Sequence, residues 1–428
     1  MKIRKNQPLN GRYTNQNVTQ GELIVNVFDE NIAQPLSEVK VDVYGVDKDG
    51  TEKQIESLVT DMSGQTEKIT LNAPNVELSL EPQELIRPFS LYNLKISSPY
   101  FDPVKVNGIE IFDQTTAIQN INMQERRLLD NMAEIINIQE NTLWGDFPSK
   151  TPEAEVKPLP EATGFVVLDE VVIPEYIIVH EGAPNSGGPD YWVPFKDYIK
   201  NVASSEIYST WPGHSIRANI LAILSFTLNR VFTEWYRGQG KSFTITNNTA
   251  YDQAFSYGRN IYSEISVVVD ELFTNYVTRN GIIQPLFTQY CDGKRVTCPN
   301  WLSQWGSAAL GEQGKSYLDI LKHYYGDIYI DQAKIVSGVP VSYPGSPLSK
   351  GSSGASVRTI QNQLNAISNN YPAIPKLRVD GIYGDQTAEG VKEFQRIFSL
   401  PQSGVVDLAT WYKISHIYVA VSKLATLI

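Results

Sequence analysis

Residues 193–230 read VPFKDYIKNVASSEIYSTWPGHSIRANILAILSFTLNR. An amphipathic segment comes first and carries one carboxylate, Glu206, near its end. A Trp-Pro pair stops it, and a long, mostly apolar helix with few charges follows. A lone acid held against apolar surface has a raised pKa, which suits proton donation near neutral pH. The competing reading is an ordinary solvated helix glutamate, and it applies equally to Glu234, Asp252, Glu264, Asp270 and Glu271 in the same region. Spacing alone leaves Glu206 one candidate among several.

A chain of 428 residues exceeds one typical core, so two to four domains are expected. Residues 1–123 are rich in short alternating runs (GELIVNVFDE, VKVDVYGVD, EKITL, VELSL, YNLKISSPYF, VKVNGIEIF) with an Asp49-Gly50 turn, and no helical stretch lies between them. They predict a small antiparallel β-sandwich. Residues 124–165 open with helical spacing at Leu128, Met132 and Ile135. They continue as a Pro-rich, extended linker with prolines at 148, 152, 158 and 160. Such a linker is a good protease target. Residues 166–330 predict an α+β unit with helices near 195–206, 215–237, 251–255 and 261–277, and a return to strand around IIQPLFTQYC. Residues 331–353 form a second linker rich in Gly, Ser and Pro. Residues 354–428 predict a three-helix bundle whose first two helices are related: Val357, Ile360, Leu364 and Ile367 share one face, as do Val391, Phe394 and Phe398. The fold class expected is therefore multidomain: β-sandwich, α+β centre, helical bundle.

Net charge is −11, distributed as −10 over residues 1–165, −4 over 166–345 and +3 over 346–428. No block of like charge marks a nucleic-acid partner. No run of about 18 apolar residues predicts a membrane span, and the basic N-terminus lacks the apolar region of a secretory signal. Cys291 and Cys298 sit seven apart. A short disulfide loop, two free thiols, and in third place a zinc site are all open from the sequence, the last hampered by the distance to His323. No cofactor or metal is expected.

Three resemblances rest on particular residues. The N-terminal pattern, an initial strand, VKVDVYG and a D-x-x-G turn, loosely resembles transthyretin-like or carboxypeptidase-regulatory-like sandwiches. Gly351–Leu364, the Asp380-Gly381-Ile382-Tyr383-Gly384 turn with Thr387, Phe394-Gln395 and Gly404-Val405-Val406-Asp407 with Trp411 closely resemble the PGB-1 type of peptidoglycan-binding domain. That resemblance implies a wall-polymer binding module, with Asp380, Tyr383 and Gln395 as candidate binding residues; a purely structural turn is the alternative. Between 193 and 326, VPFKDYIKNVASSEI, the helix with Arg217-Ala218 and Ala222, and Ser303-Gln304-Trp305-Gly306 followed by GEQGKSYLDILKHYYG resemble the SpoIID/LytB family. The family's catalytic glutamate falls on Glu206. Two departures stand out: Ile207-Tyr208 replace the family's Met-Pro, and no histidine precedes Ser303.

The whole domain order resembles the clostridial spore-cortex-lytic enzymes. It implies a spore-located precursor that a subtilisin-like protease activates during germination, by a cut between the QERR segment and Val167, acting on cortex peptidoglycan as a lytic transglycosylase. Ser303, Gln304 and Trp305 are then candidate substrate contacts. N-capping by Ser303 and core packing by Trp305, or by Trp301, are the plainer readings. A hydrolytic muramidase and a non-catalytic binder that stimulates an amidase are the alternatives.

Overall fold

The computed structural model describes residues 19–30, 34–47, 49–82, 85–126, 133–157, 171–174, 176–335 and 347–422. The N-terminal unit is a sandwich of two sheets. β1 (Thr19–Asp29), β4 (Ile69–Ala73) and β7 (Thr116–Met123) form one; β2 (Lys40–Val46), β3 (Glu52–Val59), β5 (Ser90–Ser97), β6 (Val104–Ile111) and β8 (Glu134–Asn137) form the other, in the order β3-β2-β5-β6-β8. Alternation drives the packing: Leu23, Val25 and Val27 of β1 face Val41, Val43, Leu94 and Val106, all buried. The run VELSL, expected as a strand, is instead a short helix, Glu77–Leu80, where the Asn75 side chain accepts from the Glu77 amide. The sheets are not purely antiparallel as expected. β1 pairs with β7 in parallel, and β6 with β8.

The helical reading around Ile135 is corrected. Ile136 and Ile138 point inward while Ile135 is 60% exposed, the two-residue period of a strand laid on the edge of β6. Leu128 and Met132 lie outside the described residues. The sandwich also takes a strand from the central unit, since Ile261–Tyr262 adds antiparallel to β7. The boundary expected near residue 123 is thus crossed in both directions.

In the central unit the helix Phe195–Glu206 is buried along nearly its whole length. It ends at Glu206 because Ile207 turns extended (φ −132°, ψ 162°). The helix Gly213–Phe232 runs through the middle of the unit, wrapped on all sides. It stops five residues short of the expected 237, where the Thr233 hydroxyl bonds the Asn229 carbonyl and Glu234 takes a left-handed φ of 46°. No helix forms at 251–255. There the Asn248 side chain accepts from the Ala250 amide in an Asx turn, and Asp252 is drawn back onto Thr246. The last expected helix is shorter, Ser263–Leu272, and Asn275–Thr278 is a strand paired with Tyr329–Gln332. Of the strand expected around residues 282–291, only Tyr290–Cys291 pairs, with Leu302–Ser303.

The C-terminal bundle consists of Ala355–Ile367, Asp385–Ile397 and Leu408–Ser422. Its internal repeat has a physical basis in two buried glutamines. Gln361 accepts from the Gly381 amide (2.8 Å) and donates to the Ile382 carbonyl (3.0 Å); Gln395 does the same to Gly404 (2.8 Å) and Val405 (2.9 Å). Each helix thereby braces the turn that flanks it.

Candidate functional site

Glu206 occupies the C-terminal end of its helix with only 2% of its surface exposed. Oε1 accepts the Ala254 amide at 2.8 Å. Oε2 has no hydrogen bond of good geometry, and the Tyr290 hydroxyl lies beside the carboxyl. That hydroxyl accepts from Gln253 Nε2 at 3.1 Å. Gln253 is itself fixed: its other amide proton goes to the Ile223 carbonyl (3.1 Å), and its oxygen accepts from Tyr198 (3.0 Å) and Thr227 (2.7 Å). With the phenol oxygen taken up as an acceptor, the tyrosine proton is left to face Glu206. Burial pushes the Glu206 pKa up, and the nearby Lys150 charge, the Ala254 amide and Tyr290 partly offset that push.

The helix end is held from two directions. Gln304 Nε2 donates to the Glu206 carbonyl at 3.1 Å. Asn141 Nδ2 donates to the carbonyls of Ser204 (3.2 Å) and Ile207 (3.3 Å), and the Thr142 amide to that of Ser205 (2.8 Å). The Ile207-Tyr208 departure is accommodated by burial, Tyr208 packing on Phe112 of the sandwich at 5.0 Å and on Trp211 and Trp305 at 5.8 Å each.

A cleft of about 290 Å³ opens over Glu206. One wall is the loop closed by the Cys291–Cys298 disulfide (Cα–Cα 5.7 Å). The other is Thr142 and the stretch 146–150 from the Pro-rich segment. Arg295 ties the two walls together, donating to the carbonyls of Thr142, Trp144 and Gly145. The segment expected to be a loose linker is therefore laid down on the central unit over its described length. Gln289 and Gln284 clamp its backbone at residues 151, 153 and 157, and Arg230 grips Glu153 at 2.7 and 3.0 Å. Lys150, on this segment, donates to the Asp252 carbonyl and sits over the Tyr290 ring at 4.7 Å. Arg295→Ala is expected to leave the fold intact and raise amide hydrogen exchange selectively over 142–150; unchanged protection there would show that the clamp is redundant.

Of the other carboxylates, Asp252 pairs with Arg230, Asp270 with Lys196 and Lys200, and Glu271 with Arg217. Glu264 accepts from Ser263 at 2.9 Å. It lines a cavity of about 1030 Å³ between the sandwich, the helix Ser263–Leu272 and the bundle, larger than the Glu206 cleft but lined by none of the same residues.

Several of the expected contact residues have partners within the fold. Trp305 is core, 5% exposed and 5.0 Å from Trp211. Ser303 caps the helix Gln304–Glu312, accepting from the Gly306 amide at 2.9 Å. Tyr383 is buried and donates to the Gly404 carbonyl at 2.9 Å, and Gln395 is buried in its brace, so neither offers a free polar atom to a ligand. Asp380 is half-buried and accepts from Ile382 (2.9 Å) and Gln361 (3.0 Å). Gln304 alone of the central trio reaches the cleft. Tyr290, Gln253, Asn141 and Lys150 escaped sequence reasoning; the tyrosine beside a cysteine was the only visible signal. Among the described residues no group of His, Cys, Asp and Glu could hold a metal ion, and no helix is long and apolar enough to cross a membrane.

Residues 353–414 match the PG_binding_1 peptidoglycan binding domain, so the chain carries a module of that class. The match supports a cell-wall-associated protein with peptidoglycan as a partner. No curated protein matches the chain. Among solved structures, transthyretin from Sparus aurata is 18% identical, covering 24% of this chain and 89% of its own, with a TM-score of 0.16. The minor pilin GBS52 of Streptococcus agalactiae is 18% identical, covering 26% and 48%, with a TM-score of 0.19. Catechol 1,2-dioxygenase from Acinetobacter is 12% identical, covering 29% and 60%, with a TM-score of 0.19. Scores this low carry no argument about the function of the chain.

Proposed function

We propose that the chain is the precursor of a peptidoglycan lytic transglycosylase acting on spore cortex, with Glu206 as its single acid and base. The observation that carries this reading is a fully buried glutamic acid with a raised pKa at the base of a cleft, in a chain that also bears a peptidoglycan-binding domain. Glu206 protonates the glycosidic oxygen that leaves muramic acid. The resulting carboxylate then takes the proton of the muramyl C6 hydroxyl, which attacks C1 and closes a 1,6-anhydro ring. No water enters the balance, and the acid is regenerated protonated at the end of the cycle.

Hydrolysis needs a second carboxylate to activate water. The cleft wall carries two further acids: Asp146, exposed on the stretch 146–150, and Asp292, whose oxygens already accept from the amides of Lys294, Arg295 and Val296 and from Arg295 Nε. Those bonds hold the Asp292 pKa down and occupy its oxygens, which disfavours Asp292 as the base of a muramidase. The wall at 142–150 narrows the cleft and places the Lys150 charge near the acid, which supports a precursor whose activity awaits proteolysis.

The test is product analysis on isolated cortex, with the intact chain compared with chain cut by a subtilisin-like protease. The cut chain should release muropeptides ending in anhydromuramic acid, lighter by one water than reducing-end products. Reducing ends would establish a muramidase, and sacculus binding without products a non-catalytic binder. Tyr290→Phe in the cut chain should lower turnover by about tenfold or more and move the pH–rate profile upward, because a donor that lowers the Glu206 pKa is removed. An unshifted profile would assign Tyr290 a packing role only.

A further inference from the structure

The disulfide loop has two faces. Cys291, Asp292 and Arg295 look into the Glu206 cleft, while Gly293, Thr297 and Cys298 line a separate cavity of about 340 Å³. The neighbouring strand divides in the same way: Gln304 belongs to the cleft and Ser303 to the second cavity. The two spaces are thus one residue apart on each of two adjacent stretches, about 4 Å of chain per step. Successive side chains of a strand face opposite ways, so the two cavities lie on the two faces of the disulfide loop.

The chemistry of that cavity is selective. Trp301 presents a half-buried indole, and around it stand the Asn300 amide, the Thr297 hydroxyl, the His323 ring and the Tyr324 phenol. Among the described residues no carboxylate, ammonium or guanidinium lines it. A flat aromatic face ringed by amide and hydroxyl groups suits a ligand with an apolar ring face and neutral polar edges, not an ion. Asn300 holds a left-handed φ of 57°, a conformation glycine would adopt more freely, so the exposed amide is what asparagine adds at this turn.

We propose that this cavity is a subsite for an N-acetylated amino sugar of the glycan strand, Trp301 stacking on the sugar ring and Asn300 bonding its acetamido group. The proposal rests on the reading of the Glu206 cleft as the place where glycan is cut, and adds a second point at which the chain holds glycan. None of the lining residues precedes 293, so the subsite stands open in the uncut chain although the Glu206 cleft is partly walled by 142–150.

The test uses the full-length chain and the disaccharide of β-1,4-linked N-acetylglucosamine, titrated by calorimetry or ligand-observed NMR. Saturable binding is expected, weakened about tenfold or more by Trp301→Ala. Asn300→Gly relieves the backbone while removing the amide, so it should weaken binding with an unchanged or higher unfolding temperature. This second variant guards against a Trp301→Ala chain that fails to fold. Glu206→Gln should bind as the unaltered chain does. Absence of saturable binding, or binding equal in all variants and hence seated elsewhere such as the bundle, overturns the subsite. Because no turnover is measured, binding that depends on Trp301 without anhydromuramyl products from cut chain would sink the transglycosylase reading and leave the subsite standing.

Discussion

Glu206→Gln is expected to abolish anhydromuramyl product from the activated chain, a loss of about a thousandfold or more, with sacculus binding retained. Glutamine keeps the shape and can still accept the Ala254 amide, so the loss reads the proton rather than the packing. The same variant should be more stable than the unaltered chain at alkaline pH. The Glu206 pKa is raised in the fold, so between the ordinary glutamate value and the raised one the folded chain holds a proton that the unfolded chain has lost. Stability therefore falls as pH rises through that window, and glutamine, neutral throughout, removes this part of the slope. Denaturant unfolding at pH 4 and pH 8 would show the two chains converging at the lower pH and separating at the higher. Full product yield from the variant would end the assignment of Glu206, and a gain in stability alone would leave it a merely buried acid.

The helix end that carries Glu206 was legible in an amphipathic run, a stop and an apolar helix, but only the SpoIID/LytB resemblance singled Glu206 out from the other carboxylates of the region. Its surroundings were not legible, for reasons of sequence distance. Ala254 is 48 residues away, Gln304 98, and Tyr290 and Asn141 belong to segments whose placement depends on the finished core. Period reading failed where a short run fits two templates: Ile135 continues a helical spacing from Leu128, yet Ile136 and Ile138 carry the burial that decides for a strand. Tyr383 and Gln395 show that a motif match does not separate a brace from a ligand contact. Motif residues taken for ligand contacts are buried braces of turns, and the repeat that made them visible is a packing repeat. The first two bundle helices were readable because each is amphipathic and preceded by a glycine-containing turn.

Arg259→Ala and Glu110→Ala are each expected to cost about 3–5 kcal/mol, measured by denaturant unfolding, and to loosen the sandwich from the central unit. Glu110, the last residue but one of β6, meets Arg259 at 3.0 Å, with both side chains fully buried. The Asn141 amide donates to Glu110 Oε1 at 2.8 Å, and Arg259 donates to the Gln139 carbonyl at 3.1 Å, so the pair also anchors the start of the segment that walls the cleft. Burial raises the Glu110 pKa to about 7 against the pull of Arg259. Its contribution to stability therefore declines from the ordinary glutamate pKa up to about pH 7 and is flat above, which makes the docked state firmer under mild acid. Cutting the chain near residues 124–165 does not by itself separate the parts. Ile261–Tyr262 remains hydrogen-bonded to β7, Trp211 Nε1 to the Ser79 carbonyl at 2.9 Å, and Tyr208 packed on Phe112. On size exclusion at neutral pH, cut Arg259→Ala chain should resolve into two species at concentrations where the cut unaltered chain still runs as one. Co-elution of the cut variant would show that the strand pairing and aromatic contacts hold the sandwich without the ion pair. Opening of the Glu206 cleft would then depend on freeing residues 142–150 rather than on the departure of the sandwich.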